Sequence, residues 1–348
     1  MVNVGLVGFG FAGRVFHAPI ISAVSGLKLR AILERSGDEA AKAYPSTAVV
    51  RSVDELLAIP EINLVVIATP NTSHYPLARQ FLLAGKDVVV DKPFTTTCYE
   101  ADELVRLAQE RGRLLTVYQN RRFDGDFRTI RELITAGQLG RIVLFETHFD
   151  RYRMELRPGA WRERPEAGSG IFFDLGVHLL DQALLLFGPP QALTADIRIE
   201  REGAQVDDAF DVVLHYPRTR AVLRASMIAL APDLRFLLRG ENGAYVKHGL
   251  DPQEDALKRG ETPRDDTWGR EEREKWGALY RPENDTITGE TIPTQPGNYC
   301  LFYANVRDAI LEKTQICVTH EQMLEVMQAV ELAQESSGQR RTVEWSPR

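Results

Sequence analysis

The sequence of 348 residues is poor in cysteine and has no long apolar run. Its three cysteines, Cys98, Cys300 and Cys317, lie too far apart to follow the spacing of a metal site. So sparse and odd a count is typical of a reducing compartment. The longest apolar stretches end well short of the roughly 20 residues that span a bilayer, and the N-terminus lacks the basic segment of a signal peptide. The sequence therefore predicts a cytoplasmic protein with no metal and no membrane partner.

The chain also lacks an excess of positive charge. Its 42 Lys and Arg residues are outnumbered by 49 Asp and Glu residues, for a formal net charge of -7. This balance argues against nucleic acid or an anionic membrane as the main partner. The composition, 44% hydrophobic and 26% charged, is that of a globular protein, and the length favours two domains.

Strand-like and helix-like segments alternate over the first third of the chain. Short β-branched runs occur at 3–8, 27–33, 47–50, 63–68, 87–91 and 114–119. Helix-like stretches such as 73–84 and 97–111 lie between them. Because the strand runs are continuously apolar, this alternation predicts a parallel sheet covered by helices on both faces.

The pattern changes after residue 120. A long alternating strand at 141–153 and a helix at about 170–187 precede strand-like runs near 192–201, 206–216, 220–229 and 234–239. Consecutive alternating strands predict a mainly antiparallel sheet, with helices enough for one face only. The uncovered face predicts a homodimer or homotetramer. The polar segment 251–298 is predicted to be a long surface excursion.

The first strand runs into the sequence GFGFAG, whose Gly8, Gly10 and Gly13 have G-x-G-x-x-G spacing. The first glycine allows a tight turn, the second lets a pyrophosphate approach the backbone, and the third lets helix and strand pack closely. The phosphates would bind N–H groups at the helix start, with Phe11 and Ala12 in the same loop. In this strand–turn–helix context the motif predicts a dinucleotide site.

The end of the second strand gives two opposing signals on the identity of the dinucleotide. Glu34 stands where an acid binds the ribose hydroxyls of NAD. Arg35 and Ser36 follow at once and can accept the 2′-phosphate of NADP. The predicted cofactor is therefore NAD(P), with NAD and NADP both open.

Polar side chains follow the fourth, fifth and sixth strands of this sheet. These candidates for the cofactor site are Thr69, Asn71 and His74, then Asp91 and Lys92, and finally Asn120. We expect them to contact the cofactor because ligands bind beyond the carboxyl ends of parallel strands. Helix capping by Asn71 and a surface position for His74 are the alternatives.

Asp174 and His178 stand four residues apart in the apolar run GSGIFFDLGVHLLDQ, residues 168–182. Burial of either group without a partner is costly. On an α-helix the two lie one turn apart on the same face, where a neutral imidazole can act as a base near neutral pH. In the structural alternative, Asp174 bonds the local backbone and Asp181 orients a core His178.

With these residues placed, the sequence resembles the glucose–fructose oxidoreductase / inositol dehydrogenase / MocA family over nearly its full length. The resemblance rests on GFGFAG, ATPNTSH (68–74), DKP (91–93) for the family's E-K-P, and GSGIFFDLGVHLLD (168–181), in which Ser169 replaces a glycine. The segments FHAP (16–19), NRRFDGDF (120–127) and HFDRYR (148–153) resemble the branch of NADP-linked scyllo-inositol dehydrogenases.

The resemblance implies an α/β protein with a Rossmann domain over 1–120 and an α+β substrate-binding and oligomerisation domain over 121–348. It implies hydride transfer between the nicotinamide and a carbinol carbon of a cyclic polyol or sugar. Lys92, Asp174 and His178 would be catalytic, with either Lys92 or His178 as the proton acceptor; we favour His178.

Three further residues precede the motif helix and are candidates to line the substrate pocket, namely Tyr152, Trp161 and Arg162. Two other functions stay open. One is a catalytically silent nucleotide-binding regulator, because the same fold can be kept in proteins that have lost the activity. The other is a reductase of the same family that acts on a non-sugar substrate.

Overall fold

The computed structural model describes residues 1–157, 159, 163–230, 234–263 and 267–346. The chain divides into two compact units, each made of several stretches. Unit 1 comprises Met1–Phe123, Gln253–Trp268 and Asn298–Leu324, and unit 2 comprises Asp124–Pro252, Gly269–Gly297 and Glu325–Arg348. The sequence prediction placed everything after residue 120 in one domain, whereas 253–268 and 298–324 belong to unit 1. No local pattern in these two stretches indicates which sheet they accompany.

Unit 1 is built on a parallel sheet, which confirms the predicted doubly wound fold. Among the described residues it has six strands: β1 (Val2–Val7), β2 (Leu27–Leu33), β3 (Ala48–Val50), β4 (Leu64–Ile67), β5 (Asp87–Val90) and β6 (Leu115–Val117). Their spatial order is β3-β2-β1-β4-β5-β6. Every residue of β4 is buried, as expected for a strand covered on both faces. The order reverses between β1 and β4, the point at which such sheets bind dinucleotides.

Seven helices pack in unit 1 within the described residues, and two of them begin at a residue whose side chain caps the helix. They are α1 (Ala18–Ala23), α2 (Glu39–Ala43), α3 (Val53–Leu57), α4 (His74–Leu83), α5 (Cys98–Arg111), and α8 (Gln253–Lys258) and α9 (Cys300–Glu312) from the later stretches. In α5 the side chain of Thr97 accepts the N–H of Glu100, and Gly112 ends the helix in a left-handed conformation. A stripe that includes Leu104 and Ala108 is buried, which orients the helix on the sheet.

Unit 2 contains a mixed sheet of nine strands within the described ranges. They are β7 (Ile142–His148), β8 (Ala192–Arg198), β9 (Ala209–His215), β10 (Arg220–Ser226), β11 (Leu234–Gly240), β12 (Ala244–His248), β13 (Gly277–Glu283), β14 (Thr286–Ile292) and β15 (Val343–Glu344). Their order is β14-β13-β12-β11-β7-β10-β9-β8-β15. Only the β7–β10 pair among these is parallel. The predicted mainly antiparallel sheet is therefore confirmed.

One face of this sheet forms the core of unit 2. Its strands contribute buried side chains such as Phe145, Val212 and Phe236, which cluster with residues of the helices of the unit. Those helices are α6 (Gly125–Thr135), α7 (Val177–Phe187) and the C-terminal part of α10 (His320–Gln339). Along each strand the core residues alternate with residues that are half-buried or exposed.

The segment 251–298 has more regular structure than the sequence predicts. It supplies α8 to unit 1 and the hairpin of β13 and β14 to the sheet of unit 2. The prediction of a surface position is correct for β14, of which most residues are exposed. No helix in the part of the chain that the structure describes has the length and apolar character needed to cross a membrane.

Candidate active site

The glycine-rich turn after β1 has one open glycine and two packed ones. At Gly8 (φ 97°) a Cβ would overlap the carbonyl oxygen of Ala68, and at Gly13 it would overlap the carbonyl oxygen of Gly8. At Gly10 a Cβ would meet no atom within 4 Å. The turn therefore fits a dinucleotide, because Gly8 and Gly13 are needed for packing and Gly10 leaves a bare backbone for a pyrophosphate.

The two side chains next to these glycines differ in exposure. Phe11 is 47% exposed and its ring contacts the edge of Phe16, with 5.8 Å between ring centroids. Ala12 is half-buried at the start of the helical segment. Both residues lie among the first helical residues after the turn, and their contact with a cofactor stays a prediction.

Glu34 is bound by its own protein. Its side chain is about 10% exposed, Oε2 accepts the N–H of Ala40 at 3.3 Å, and the guanidinium of Arg51 lies 3.7 Å away. Arg51 also donates to the main-chain carbonyl of Glu34 at 2.7 Å. Arg35 and Ser36 are exposed beside it. The carboxylate therefore has internal partners, whereas the two residues suited to a 2′-phosphate face solvent.

The segment after β4 is held by local hydrogen bonds. The hydroxyl of Ser73 donates to Thr69 Oγ1 at 2.7 Å, and Asn71 is buried at the start of a short 3-10 turn. His74 is completely buried, with Nδ1 2.8 Å from the carbonyl oxygen of Pro93 and Nε2 2.9 Å from that of Thr69. Burial lowers the pKa of His74, and a neutral imidazole donates to one carbonyl at a time.

His74 thus links the end of β4 to the segment after β5 that contains Lys92. This is not the surface position that served as the alternative in the sequence prediction. The buried side chain gives His74 a bridging role between two loops. Its predicted contact with the cofactor stays a prediction.

Asp91 and Lys92 directly follow β5, as predicted. Asp91 Oδ1 accepts the main-chain N–H of Lys92 at 2.8 Å, and it lies 3.6 Å from Nε2 of His17. Burial opposes ionisation of Asp91, but the imidazole of His17 and the charge of Lys92 hold its pKa below the usual range. A carboxylate is therefore maintained next to the lysine.

Asn120 and the two arginines after it form a buried 3-10 turn, Asn120–Phe123. Asn120 is 5% exposed. The guanidinium of Arg121 binds Glu254 of α8 and donates to the hydroxyl of Tyr299 at 3.0 Å. Burial opposes ionisation of Glu254, yet the charge of Arg121 lowers its pKa to about 2. Arg121 therefore belongs to a largely buried ion pair within unit 1.

Unit 2 contains the predicted acid–imidazole helix, but its first turn is not α-helical. Phe172–Gly176 form a π-helical turn that contains Asp174, and α7 with His178 follows directly. A Cβ at Gly176 would overlap the ring of Phe172, so the tight packing of this turn requires glycine. Such π-helical turns are frequent at functional sites.

The two residues of the motif differ in exposure. The side chain of Asp174 is 22% exposed, and its Oδ2 lies 4.0 Å from the guanidinium of Arg151, which is 35% exposed. His178 and Asp181 are 3% and 2% exposed. The arrangement gives a solvent-accessible carboxylate beside a guanidinium, with a buried imidazole further along the same helical segment.

Of the three pocket candidates, Tyr152 is described and the other two are not. Tyr152 is 57% exposed and forms an isolated bridge with Ile228. Trp161 and Arg162 lie outside the residues that the structure describes. Within the described part of the chain, no three His, Cys, Asp or Glu side chains are placed to hold a metal ion.

The sequence did not predict three residues that lie beside candidate site residues. In unit 1 the side chain of His17 contacts Tyr303 and lies near Asp91. In unit 2 Asp207 contacts the start of the helix that carries Asp174 and His178. The one available signal was the histidine of FHAP, a polar residue in an apolar run. Asp207 and Tyr303 give no local signal, because their contacts depend on distant parts of the chain.

Comparison with known proteins gives matches over almost the whole chain. A family profile described as "Oxidoreductase family, NAD-binding Rossmann fold" matches residues 2–119, and a second, "Oxidoreductase family, C-terminal alpha/beta domain", matches residues 131–345. An uncharacterized oxidoreductase of Escherichia coli (strain K12), YdgJ, is 45% identical over 98% of each chain.

Two further similarities concern Bacillus subtilis. The protein IolW, named scyllo-inositol 2-dehydrogenase (NADP(+)), is 37% identical over 98% of this chain and 95% of its own length. The solved structure of the putative oxidoreductase yvaA is similar with a TM-score of 0.96 and 37% identity, over 99% of this chain and 98% of that one.

Proposed function

The chain belongs to the glucose–fructose oxidoreductase / inositol dehydrogenase / MocA family of oxidoreductases, and from that premise we propose that it interconverts a cyclic polyol or sugar and its ketone or lactone with NADP. It is an NAD(P)-dependent dehydrogenase that acts on CH–OH groups. The proposal concerns the substrate class, the preferred dinucleotide and the roles of individual residues.

The substrate class rests on one observation above all, the pair of Asp174 and Arg151. A carboxylate and a guanidinium 4.0 Å apart, both partly exposed, offer an acceptor and several donors side by side. Vicinal hydroxyl groups of a polyol need this combination, since each hydroxyl both donates and accepts. The exposed ring of Tyr152 adds an aromatic surface in the same unit. IolW, whose name specifies scyllo-inositol, supports an inositol-like substrate.

The preference for NADP rests on the partners of Glu34. An acid at this position selects NAD by binding the ribose 2′-hydroxyl. Here the N–H of Ala40 and the guanidinium of Arg51 already bind this carboxylate. Arg35 and Ser36 are exposed and suited to a 2′-phosphate. The turn at Gly10 and the residues after β4, β5 and β6 would hold the rest of the dinucleotide.

The bound nicotinamide supplies the hydride acceptor or donor, and the chain's own residues handle the proton. His178 takes the hydroxyl proton on an imidazole nitrogen when the alcohol is oxidised and returns it when the ketone is reduced. Lys92 donates a hydrogen bond to the reacting oxygen and stabilises its developing negative charge. Asp174 accepts a hydrogen bond from a substrate hydroxyl and so orients the ring of the polyol or sugar.

We further propose that two copies associate through the open face of the nine-stranded sheet. The apolar side chains Leu144, Val213, Val222 and Leu237 alternate with core residues on neighbouring strands and are half-buried. The same strands carry charges of both signs: Arg224 contacts Glu146 at 3.6 Å and Asp211 at 2.6 Å. A surface with both signs around an apolar centre is complementary to a second copy of itself.

The deciding experiment titrates the purified protein with NADPH and NADH and then assays it with inositols and aldoses, following the absorbance of the reduced nicotinamide. We expect tighter binding of NADPH and turnover of at least one cyclic polyol. Tight cofactor binding without turnover of any alcohol or carbonyl compound would support a silent regulator. Turnover confined to non-sugar carbonyl compounds would contradict the proposed substrate class but not the assignment as a dehydrogenase.

A further inference from the structure

A buried chain of polar groups in unit 1 ends at the lysine that we assign to catalysis. Nδ1 of His17 is 2.6 Å from the hydroxyl of Tyr303, and Nε2 lies 3.6 Å from Oδ1 of Asp91. His17 and Tyr303 are completely buried, and the side chain of Asp91 is 13% exposed. The ring of Tyr118 packs on the imidazole with centroids 4.6 Å apart. The reaction proposed above uses neither His17 nor Tyr303.

Tyr303 determines which nitrogen of His17 carries the proton. Burial, with the neighbouring Tyr118 and Asp91, raises the pKa of Tyr303 well above its ordinary value, so the phenol keeps its proton. Because the carboxylate opposite Nε2 can only accept, we infer that this phenol donates a hydrogen bond to Nδ1. Because Nδ1 then acts as the acceptor, the ring proton of the neutral imidazole is on Nε2. Nε2 makes no hydrogen bond within the described residues, and the carboxylate of Asp91 is the group that faces it.

Asp91 connects this imidazole to the main chain of the lysine. The same carboxylate oxygen that faces His17 accepts the N–H of Lys92 at 2.8 Å. An N–H that faces this oxygen at 3.6 Å attracts the carboxylate of Asp91 electrostatically, and the carboxylate in turn holds the main chain at Lys92 through its hydrogen bond. Groups that orient a ligand or a catalytic side chain from behind in this way affect activity strongly without touching the substrate.

We propose that His17, with its tautomer set by Tyr303, is a positioning residue that orients Lys92 through Asp91. The proposal deepens the proposed function and rests on it, since it takes Lys92 as the group that contacts the reacting oxygen. It assigns a role to the histidine of FHAP and to Asp91, the residue that replaces glutamate in the family's E-K-P sequence.

Two substitutions of His17 separate its two nitrogens. Glutamine places an amide N–H near the position of Nε2, facing Asp91, whereas asparagine reaches only as far as Nδ1 and can contact Tyr303 alone. His17→Asn should lower kcat/KM by about tenfold or more, and His17→Gln should stay within about threefold of the wild type. The dissociation constant of NADPH should change by less than about twofold in both. His248→Asn, at an exposed histidine on β12, is the control.

A second measurement needs no turnover. In protein labelled with ¹⁵N-lysine, the amide signal of Lys92 reports the ionisation of the carboxylate that accepts its N–H. In the wild type and in His17→Gln this signal should not titrate above about pH 4, the ordinary range of an aspartate. In His17→Asn the midpoint of this titration should move to higher pH. Burial still opposes ionisation of Asp91, and no imidazole is present to stabilise the carboxylate.

The two measurements separate the two proposals. If the wild type turns over no alcohol or carbonyl compound, the proposed function fails and the Lys92 titration still decides the role of His17. Positioning through Asp91 is overturned if His17→Asn and His17→Gln behave alike in both measurements. An equal loss of activity in both variants with an unchanged Lys92 midpoint would identify His17 as a packing residue only.

Discussion

Asp207 binds the first residue of the helical turn that carries Asp174. Its Oδ2 accepts the main-chain N–H of Phe172 at 2.7 Å, and its main-chain carbonyl accepts the N–H of Ile171 at 2.9 Å. Gly170, with φ of 87°, leaves room for this carboxylate, because a Cβ there would overlap it. The contact with Asp207 therefore explains why residue 170, the last position of the GSG sequence, is a glycine.

The charge of Asp207 should make the stability of unit 2 depend on pH. Burial raises the pKa of Asp207 from 3.8 to about 6, although the N–H of Phe172 acts in the opposite direction. The folded chain therefore binds a proton more tightly than the unfolded one, and this contribution is complete below about pH 4 and lost as the pH rises through about 6.

Asp207→Asn tests this because the amide is always neutral and its oxygen can still accept the N–H of Phe172. Relative to the wild type, the free energy of unfolding of the variant should rise by about 2 kcal/mol between pH 4 and pH 7.5. Urea unfolding at both pH values measures it. Glu202→Gln, at an exposed acid, is the control, and an equal shift in the two variants would contradict the prediction.

Gly170→Ala should lower the free energy of unfolding by about 2–4 kcal/mol, because the new methyl group overlaps Asp207 and the positive φ is strained. The variant should therefore unfold at a lower denaturant concentration than the wild type. Ser169→Gly is the matched variant and restores the glycine of the family pattern. It loses the one hydrogen bond that the Ser169 hydroxyl donates, to the carbonyl of Arg164 or that of Glu166, each 2.6 Å away. This should cost only about 1 kcal/mol. Urea unfolding ranks the two; the reverse order would refute the packing argument.

Lys92→Met and His178→Ala should each lower kcat by about 10²–10⁴-fold, since each removes a group that handles proton or charge at the reacting oxygen. Affinity for NADPH, measured by fluorescence titration, should stay within about threefold of the wild type. Lys28→Met, at an exposed position on β2, controls for loss of a positive charge. Near-normal turnover in either site variant would remove that residue from the mechanism.

Arg35→Ala should weaken NADPH binding by about 10–100-fold, the value of a charge-assisted hydrogen bond to phosphate. NADH binding should be unchanged, because NADH has no 2′-phosphate. Arg30→Ala, at another exposed position on β2, is the control. Equal losses of affinity for the two dinucleotides would show that Arg35 does not bind the 2′-phosphate.

Light scattering at micromolar concentration should give the mass of two or four chains. Val222 pairs with Val213 across β10 and β9, so Val222→Glu places a charge in the proposed interface and should shift the mass to that of one chain. Ile287→Glu introduces the same charge at a residue that is 77% exposed on β14, and it should leave the mass unchanged. A wild type with the mass of one chain would disprove the association.

Much of unit 1 could be predicted because its signals are local. Continuous β-branched runs separated by helix-like segments indicate a parallel sheet, and parallel order places the residues after β4, β5 and β6 along one edge. The spacing of Gly8, Gly10 and Gly13 likewise defines a turn whose geometry depends only on neighbouring residues. The antiparallel sheet of unit 2 followed from the alternation along single strands in the same way.

Contacts between distant residues could not be predicted from such patterns. His17 and Tyr303 are 286 positions apart, and the segments 253–268 and 298–324 return to unit 1 after the chain has built most of unit 2. Asp207 reaches Phe172 from a separate loop. The sequence by itself determined the two kinds of sheet and the candidate residues on them, because periodicity and turn chemistry act over a few residues. Only the tertiary structure decided which buried groups support those candidates, because packing joins residues that no local pattern relates.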